Sequence, residues 1–190
     1  MNDLITDVVI ILRSIWFILP AYVANPMAVL AHGTFPIDFN KRFIDGNRLF
    51  GKGKTWAGFF VGSISGIVLG LIQNVIATIA PNSIFPVFNE NIVSAVIIIT
   101  LLSVGSMTGD LLGSFIKRRL KIASGAEVIG LDQYPFLLVS LLFLYIWSNY
   151  FFMHFFYNIV ALLTLIIFTP IIHRLVNLLG YRTGKKEVPW

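Results

Sequence analysis

The chain contains no cysteine. That excludes a disulfide framework, a thiolate metal site and a cysteine nucleophile. Charge is scarce as well: Asp, Glu, Lys and Arg make up 12% of the 190 residues, about half of the roughly 25% usual in soluble domains. Acidic residues are the rarer sign, 9 against 14 basic ones, and there are only 3 histidines. The start, Met1-Asn2-Asp3, lacks the basic segment of a cleaved secretion signal, so the first apolar stretch reads as a retained span. No long-period repeat or low-complexity tract is visible.

What fills the chain is apolar: 57% of residues are hydrophobic and the mean hydropathy is +0.84. Apolar runs of about 18 residues or more mark membrane-crossing helices. The expected fold is an all-α polytopic membrane protein, one domain over residues 1–190, with about five spans. The first runs from Leu4 to Asn25 or on to Leu30, the second from Thr55 to Ala80, and the third from Asn91 to Lys117. The fourth and fifth share the run Tyr134 to Leu179, too long for one crossing, with a break expected near Ser148-Asn149-Tyr150.

The basic residues set the orientation. Lys41, Arg42, Arg48, Lys52 and Lys54 lie between spans one and two; Lys117, Arg118, Arg119 and Lys121 end span three; Arg174, Arg182, Lys185 and Lys186 lie near the C-terminus. The segments 81–91 and 148–157 hold no Lys or Arg. The positive-inside rule then puts the N-terminus outside and the C-terminus in the cytoplasm, with cytoplasmic loops at 31–54 and 118–133. In so apolar a chain the net charge of +5 points to lipid headgroups and phosphates, not to nucleic acid.

Two carboxylates need a reason. In "SVGSMTGDLLGSFIKRRLK", steps of three and four put Ser103, Ser106, Asp110, Ser114 and Lys117 on one helix face. A carboxylate at the bilayer centre costs about 2.5–3.5 kcal/mol on insertion scales, so Asp110 should face a cavity. An ion pair with Lys117 or Arg118 is the structural alternative. Asp132 stands just before span four, and its structural alternative is a helix N-cap. Two carboxylates plus substrate phosphates are a donor set that suits Mg²⁺. Glycines at 58, 62, 66 and 70 in span two, and at 105, 109 and 113 in span three, read as close helix packing.

The loop before span two carries five cations and several glycines, more than a connection requires. Its end, Gly53-Lys54-Thr55, matches the close of the P-loop pattern GxxxxGK[ST], but Arg48 stands where the first glycine belongs, and no strand precedes it. A cationic loop running into a helix N-terminus remains, and both features attract phosphate.

Gly109-Asp110-Leu111-Leu112-Gly113-Ser114-Phe115-Ile116-Lys117-Arg118 resembles the GDxxxSxxKR signature of the CDP-diacylglycerol synthases. Leu131-Asp132-Gln133 lies where that family carries its second acidic motif, LDxxD, of which one Asp matches. The whole chain is similar to the archaeal CDP-archaeol synthases. The likeness rests also on Leu19-Pro20-Ala21-Tyr22-Val23-Ala24-Asn25, Phe43-Ile44-Asp45-Gly46-Asn47-Arg48, Gly51-Lys52-Gly53-Lys54-Thr55 and Val188-Pro189-Trp190. The resemblance implies transfer of CMP from CTP to 2,3-bis-O-(geranylgeranyl)glycerol 1-phosphate at the cytoplasmic face of the cell membrane, with Mg²⁺ as cofactor.

On that resemblance Asp110 and Asp132 would hold the metal, and Lys54, with Lys52 or Arg48, the leaving pyrophosphate. Lys117 and Arg118 would gather the lipid phosphate or the triphosphate. Ser114 and Thr55 would hydrogen-bond phosphate, and Asn25 would read the cytosine or ribose, its alternative being an Asn-Pro helix exit. Asp38 and Asp45 would position the loop's own cations. None of the histidines is expected to be catalytic; His32 is the substrate neighbour among them. Two rivals stand beside this reading. One is a synthase acting on ester-linked phosphatidic acid. The other is a small transporter or channel using Asp110.

Overall fold

The computed structural model describes residues 2–31, 33–81 and 84–185, and every regular element among them is helical. The order is α1 (Asn2–Val29), α2 (Trp56–Ile79), α3 (Ile92–Arg119), α4 (Pro135–Trp147), α5 (Asn149–Phe155) and α6 (Ile159–Arg182). The helix starts follow capping chemistry. Thr55 Oγ1 accepts the Gly58 N–H, Asn91 Oδ1 accepts those of Val93 and Ser94, and Asn158 Oδ1 accepts that of Val160. The sequence places Thr55 and Asn91 at the same two starts.

Among the described residues four helices, α1, α2, α3 and α6, are long and apolar enough to cross a membrane. The long apolar run after Tyr134 does break at Ser148, as expected. Its first part is shorter than a span, however. With 13 residues, α4 rises about 20 Å, against a hydrocarbon core of about 30 Å.

Small residues set the helix spacing. On α2, a Cβ at Gly62 would lie 2.6 Å from the Ala24 carbonyl oxygen of α1, and one at Gly66 would lie 2.5 Å from that of Pro20. On α3, a Cβ at Gly105 would sit 2.7 Å from the Ser140 Cα of α4, and one at Gly109 would collide with the Pro135 carbonyl. Backbones this close gain dispersion contact that larger residues would prevent. Hydroxyl groups add cross-links: Ser106 donates to the Ala21 carbonyl at 2.7 Å, and Ser140 to that of Leu102 at 2.9 Å. Tyr22 joins Thr169 at 2.8 Å and ties α6 to α1.

Prolines inside the helices leave carbonyls without helical donors. Pro20 removes the donor for Trp16, and Gln73 Nε2 of α2 fills the place at 2.8 Å. Pro170 removes the donor for Ile166, and the Tyr134 hydroxyl donates there at 3.1 Å. One end of the bundle is closed by phenylalanines. Phe17 packs edge-on against Phe88 and Phe151, with ring centroids 5.1 and 4.9 Å away. The other end, where α1 stops and α2 begins, carries most of the charged residues, among them Arg48, Lys54, Asp110, Lys117 and Asp132.

Candidate active site

The segment 33–55 is built around one buried carboxylate. Asp38, 2% exposed, accepts Nε and Nη2 of Arg48 at 3.1 and 2.5 Å. It also accepts the backbone N–H groups of Asn40, Phe50 and Gly51. Gly51 has φ +120°, a conformation that side chains disfavour. Burial by itself raises the Asp38 carboxyl; the Arg48 guanidinium and the three N–H groups outweigh it and hold it below its usual value. Asp38 in turn raises Arg48. Asp38 thus positions a loop cation, as expected, while Asp45 reaches out of the loop to Arg119, 3.2 Å away. Arg119 also lies over the rings of Phe43 and Phe115 and so pins the loop to α3.

Backbone pairing carries that order to Lys54. Ile37 N–H donates to the Lys54 carbonyl at 2.9 Å, and Trp56 N–H to that of Phe35 at 3.1 Å. Lys54 then points at α3, where Nζ stands 2.5 Å from Asp110 Oδ2. The partner of Asp110 is therefore a lysine from another element, and not Lys117 or Arg118 farther along its own helix.

Lys117 serves the second carboxylate. Its Nζ donates to Asp132 Oδ1 at 2.7 Å and to the Ala126 carbonyl at 2.5 Å. Asp132 Oδ2 accepts the Val128 N–H at 2.8 Å. It does not cap α4; Tyr134 occupies the N-cap position and makes no side-chain cap bond. Close packing brings this segment in: a Cβ at Gly113 would lie 2.7 Å from the Leu131 carbonyl oxygen. The glycines of α3 thus hold 131–136 against the turns that carry Asp110.

A cavity of about 380 Å³ gathers Asn25, Lys54, Thr55, Asp110 and Asp132. Those side chains, with His173 and Asn177 of α6 and Thr183 and Lys185 after it, make up its polar lining. Its apolar lining includes Met27, Val29 and Leu30 at the end of α1 and Ile172, Val176 and Leu179 of α6. Val29, Leu30 and Leu179 are exposed as well as lining, so an apolar wall of the cavity reaches the protein surface. Asn25 Oδ1 is buried without a hydrogen-bond partner among the described residues.

Other expected site residues lie elsewhere. Arg48, Lys52 and Arg118 line a separate cavity of about 260 Å³. Lys117 touches Asp132 but does not line the main cavity, and Ser114 lines neither. His32 and Val188-Pro189-Trp190 fall outside the described residues. His154 stacks on Tyr150 of α5. The sequence reading missed the contribution of α6: His173 and Asn177, 3.2 Å apart, both line the cavity. Two polar residues four apart in an apolar helix were the available signal.

No cluster of three or more His, Asp or Glu side chains occurs among the described residues. Asp110 and Asp132 nevertheless line one cavity, each with a lysine ammonium on one carboxylate oxygen. The site thus collects positive charge at both carboxylates. Mg²⁺ commonly takes one or two carboxylates and completes its shell with water and substrate phosphate; Asp110 and Asp132 are donors of that kind, and an ion there would take the place of a lysine ammonium.

A family model described as "CarS-like: CDP-archaeol synthase" matches residues 6–190. The chain is 43% identical over 184 residues to the CDP-archaeol synthase of Picrophilus torridus, covering 97% of this chain and 99% of that protein. It is 43% identical over 180 residues to that of Pyrococcus abyssi, covering 95% and 98%. With that of Archaeoglobus fulgidus the identity is 42% over 183 residues, again 95% and 98%. A solved structure described as "Structural insight into an intramembrane enzyme for archaeal membrane lipids biosynthesis" superposes with a TM-score of 0.61 at 30% identity. That match covers 85% of this chain and 93% of the other.

Proposed function

The chain belongs to the CDP-archaeol synthase family, and from that premise we propose that it transfers CMP from CTP to 2,3-bis-O-(geranylgeranyl)-sn-glycerol 1-phosphate. The products are CDP-archaeol and pyrophosphate. The observation that carries this reading is a single cavity with two characters. Lysine, threonine and two carboxylates line it, and so do exposed aliphatic side chains of α1 and α6. A nucleotide triphosphate needs the first and an isoprenoid lipid the second.

The nucleophile is an oxygen of the lipid phosphate. Its second pKa is about 6, so it is ionised at neutral pH and no general base is required. It attacks the α-phosphorus of CTP; a new P–O bond forms there, and the bond to the β-phosphate oxygen breaks to release pyrophosphate. Catalysis of this kind is mainly positioning and charge neutralisation. Lys54 leaves Asp110 to bind the departing phosphates, and the Thr55 hydroxyl and the start of α2 lie beside it. When bound, Mg²⁺ would be held by Asp110 and Asp132 and would neutralise triphosphate charge. Lys117 holds Asp132 in place through its 2.7 Å contact. Asn25 offers its unpartnered Oδ1 to the exocyclic amino group of cytosine, which is a donor. Arg48, Lys52 and Arg118 lie away from this cavity, so the reading gives them no contact with the transferred phosphate.

The whole chain acts as one transmembrane cytidylyltransferase unit in the cell membrane. The basic loops favour a site on the cytoplasmic side, where CTP is available. Five crossings, with α4 as a short fourth, satisfy that orientation. The test is incorporation of label from CTP by the purified protein, offered the ether-linked isoprenoid phosphate or ester-linked phosphatidate. Label should enter lipid only with a lipid phosphate present, and faster with the ether lipid. Strong preference for the ester lipid overturns the lipid assignment; substrate flux in liposomes without CTP consumption overturns the transferase reading.

A further inference from the structure

The second cavity has a composition unlike the first. Arg48, Lys52, Arg118 and Lys121 line its 260 Å³, and no Asp or Glu does so among the described residues. Its other walls are small or neutral, from Gly51, Ala123 and Ser124. It shares no lining residue with the transfer cavity. The chain between them alternates: Gly51 and Lys52 face the second cavity, Gly53 and Lys54 the first. On α3 the adjacent residues Lys117 and Arg118 divide likewise, the first bonding Asp132 of the transfer cavity and the second lining the other.

Arg48 has Asp38 as its counter-ion, but Lys52, Arg118 and Lys121 have no carboxylate partner among the described residues and repel one another around the hollow. Arg118 is the most fixed of the four. It is 9% exposed and gives Nη2 to the Ala123 carbonyl at 3.1 Å. Its Nε–H is closed off from solvent, so the outer guanidinium nitrogens are the ones an anion in the hollow can reach. Arg48 is held rigid by Asp38 at the rim of the same hollow, and the flexible stems of Lys52 and Lys121 can close over it. Guanidinium groups suit phosphate oxygens in particular, because their donors form a planar fork.

We propose that this cavity is a second phosphate-binding site, separate from the transfer cavity, for an anion bearing one or two phosphoryl groups. Free pyrophosphate and an anionic lipid headgroup present the same chemistry, and the test separates them. Inorganic pyrophosphate is titrated into the full chain in nanodiscs of neutral lipid, and binding is followed by calorimetry without turnover. Wild-type protein should show two classes of site. Lys54→Met should weaken one class only. Lys52→Gln with Lys121→Gln should weaken the other by about tenfold or more, since each loses a charge-assisted contact. Ser124→Glu, which adds a carboxylate at the wall, should act as the double change does.

Repeating the titration with anionic phospholipid in the disc identifies the source. Survival of the second class means a soluble phosphate, and its displacement means a lipid headgroup. A single class in wild-type protein, lost in Lys54→Met and unchanged in both other variants, overturns the proposal. Because no catalysis is read, failure of the cytidylyl-transfer reading would leave this result interpretable.

Discussion

Replacing Lys54 with methionine keeps an unbranched stem and removes the ammonium. The structure sets both consequences. Nζ lies 2.5 Å from Asp110 Oδ2, and the two side chains are 28% and 29% exposed. A pair this accessible adds about 1 kcal/mol or less to stability, so thermal unfolding in detergent should shift by only a few degrees. Loss of a charge-assisted contact to phosphate costs about 1.5–3 kcal/mol, which is about a 10- to 150-fold fall in kcat/KM for CTP. If Lys54 grips the departing pyrophosphate, the fall lies mainly in kcat; if it only captures CTP, it lies in KM. Lys54→Arg should recover part of the loss, because the charge returns on a bulkier, planar head. The assay is initial-rate conversion of labelled CTP into CDP-lipid in nanodiscs. A kcat/KM within about threefold of wild type, with Asp110→Asn inactive, would falsify the phosphate role and leave Lys54 as a counter-ion for Asp110.

Three further outcomes are expected. Gly109→Ala forces a methyl group into the backbone of Pro135 and Phe136; it should cost about 1–3 kcal/mol and lower activity by shifting the segment that carries Asp132, read out by thermal midpoint and rate together. Asp132→Asn removes the partner of the buried Lys117, so it should lose both CDP-lipid formation and stability. Asp132→Asn combined with Lys117→Met should regain stability but not activity, and regained activity would remove Asp132 from the site. Asp38, whose folded pKa is depressed, stabilises the loop fully above its unfolded value of about 3.9. That contribution is lost as pH falls through the lower folded value, so hydrogen-exchange protection in 38–51, corrected for the intrinsic pH dependence of exchange, should be flat from pH 5 to 8 and fall only in strong acid. A loss of protection centred near neutral pH would contradict the assignment.

The helix boundaries were legible because membrane helices announce themselves by length and by polar caps. Thr55 and Asn91 start their helices where the sequence places them, and Ser148 breaks the last apolar run. The brevity of α4 was not legible, since apolar content gives no measure of where a helix meets the surface. The two carboxylates, Lys54, Thr55 and Asn25 were recognisable one at a time, as polar residues out of place among apolar ones. Their pairing was not. Helical spacing relates Asp110 to Lys117, but the loop order built by Asp38 and Arg48 delivers Lys54 to it instead. The separation of Lys52 from Lys54 also escaped the sequence. Both belong to one glycine-lysine stretch, and only the backbone path turns neighbouring lysines toward different cavities.

The borrowed hydrogen bonds at the prolines have a consequence for how the chain is made. The Trp16 carbonyl of α1 depends on Gln73, which is 57 residues later in the chain. A ribosome feeding a membrane from the N-terminus delivers the acceptor well before its donor. Until α2 arrives, that carbonyl must keep a water molecule or face hydrocarbon, where an unpaired polar group is costly. The first helix is thus best inserted together with the second, as a hairpin. At the other end of the chain the order is reversed. Tyr134 is synthesised 32 residues before Ile166, so α6 meets its donor already in place. The two prolines therefore impose opposite timing on biogenesis, a concerted entry at the start and a docking step at the finish.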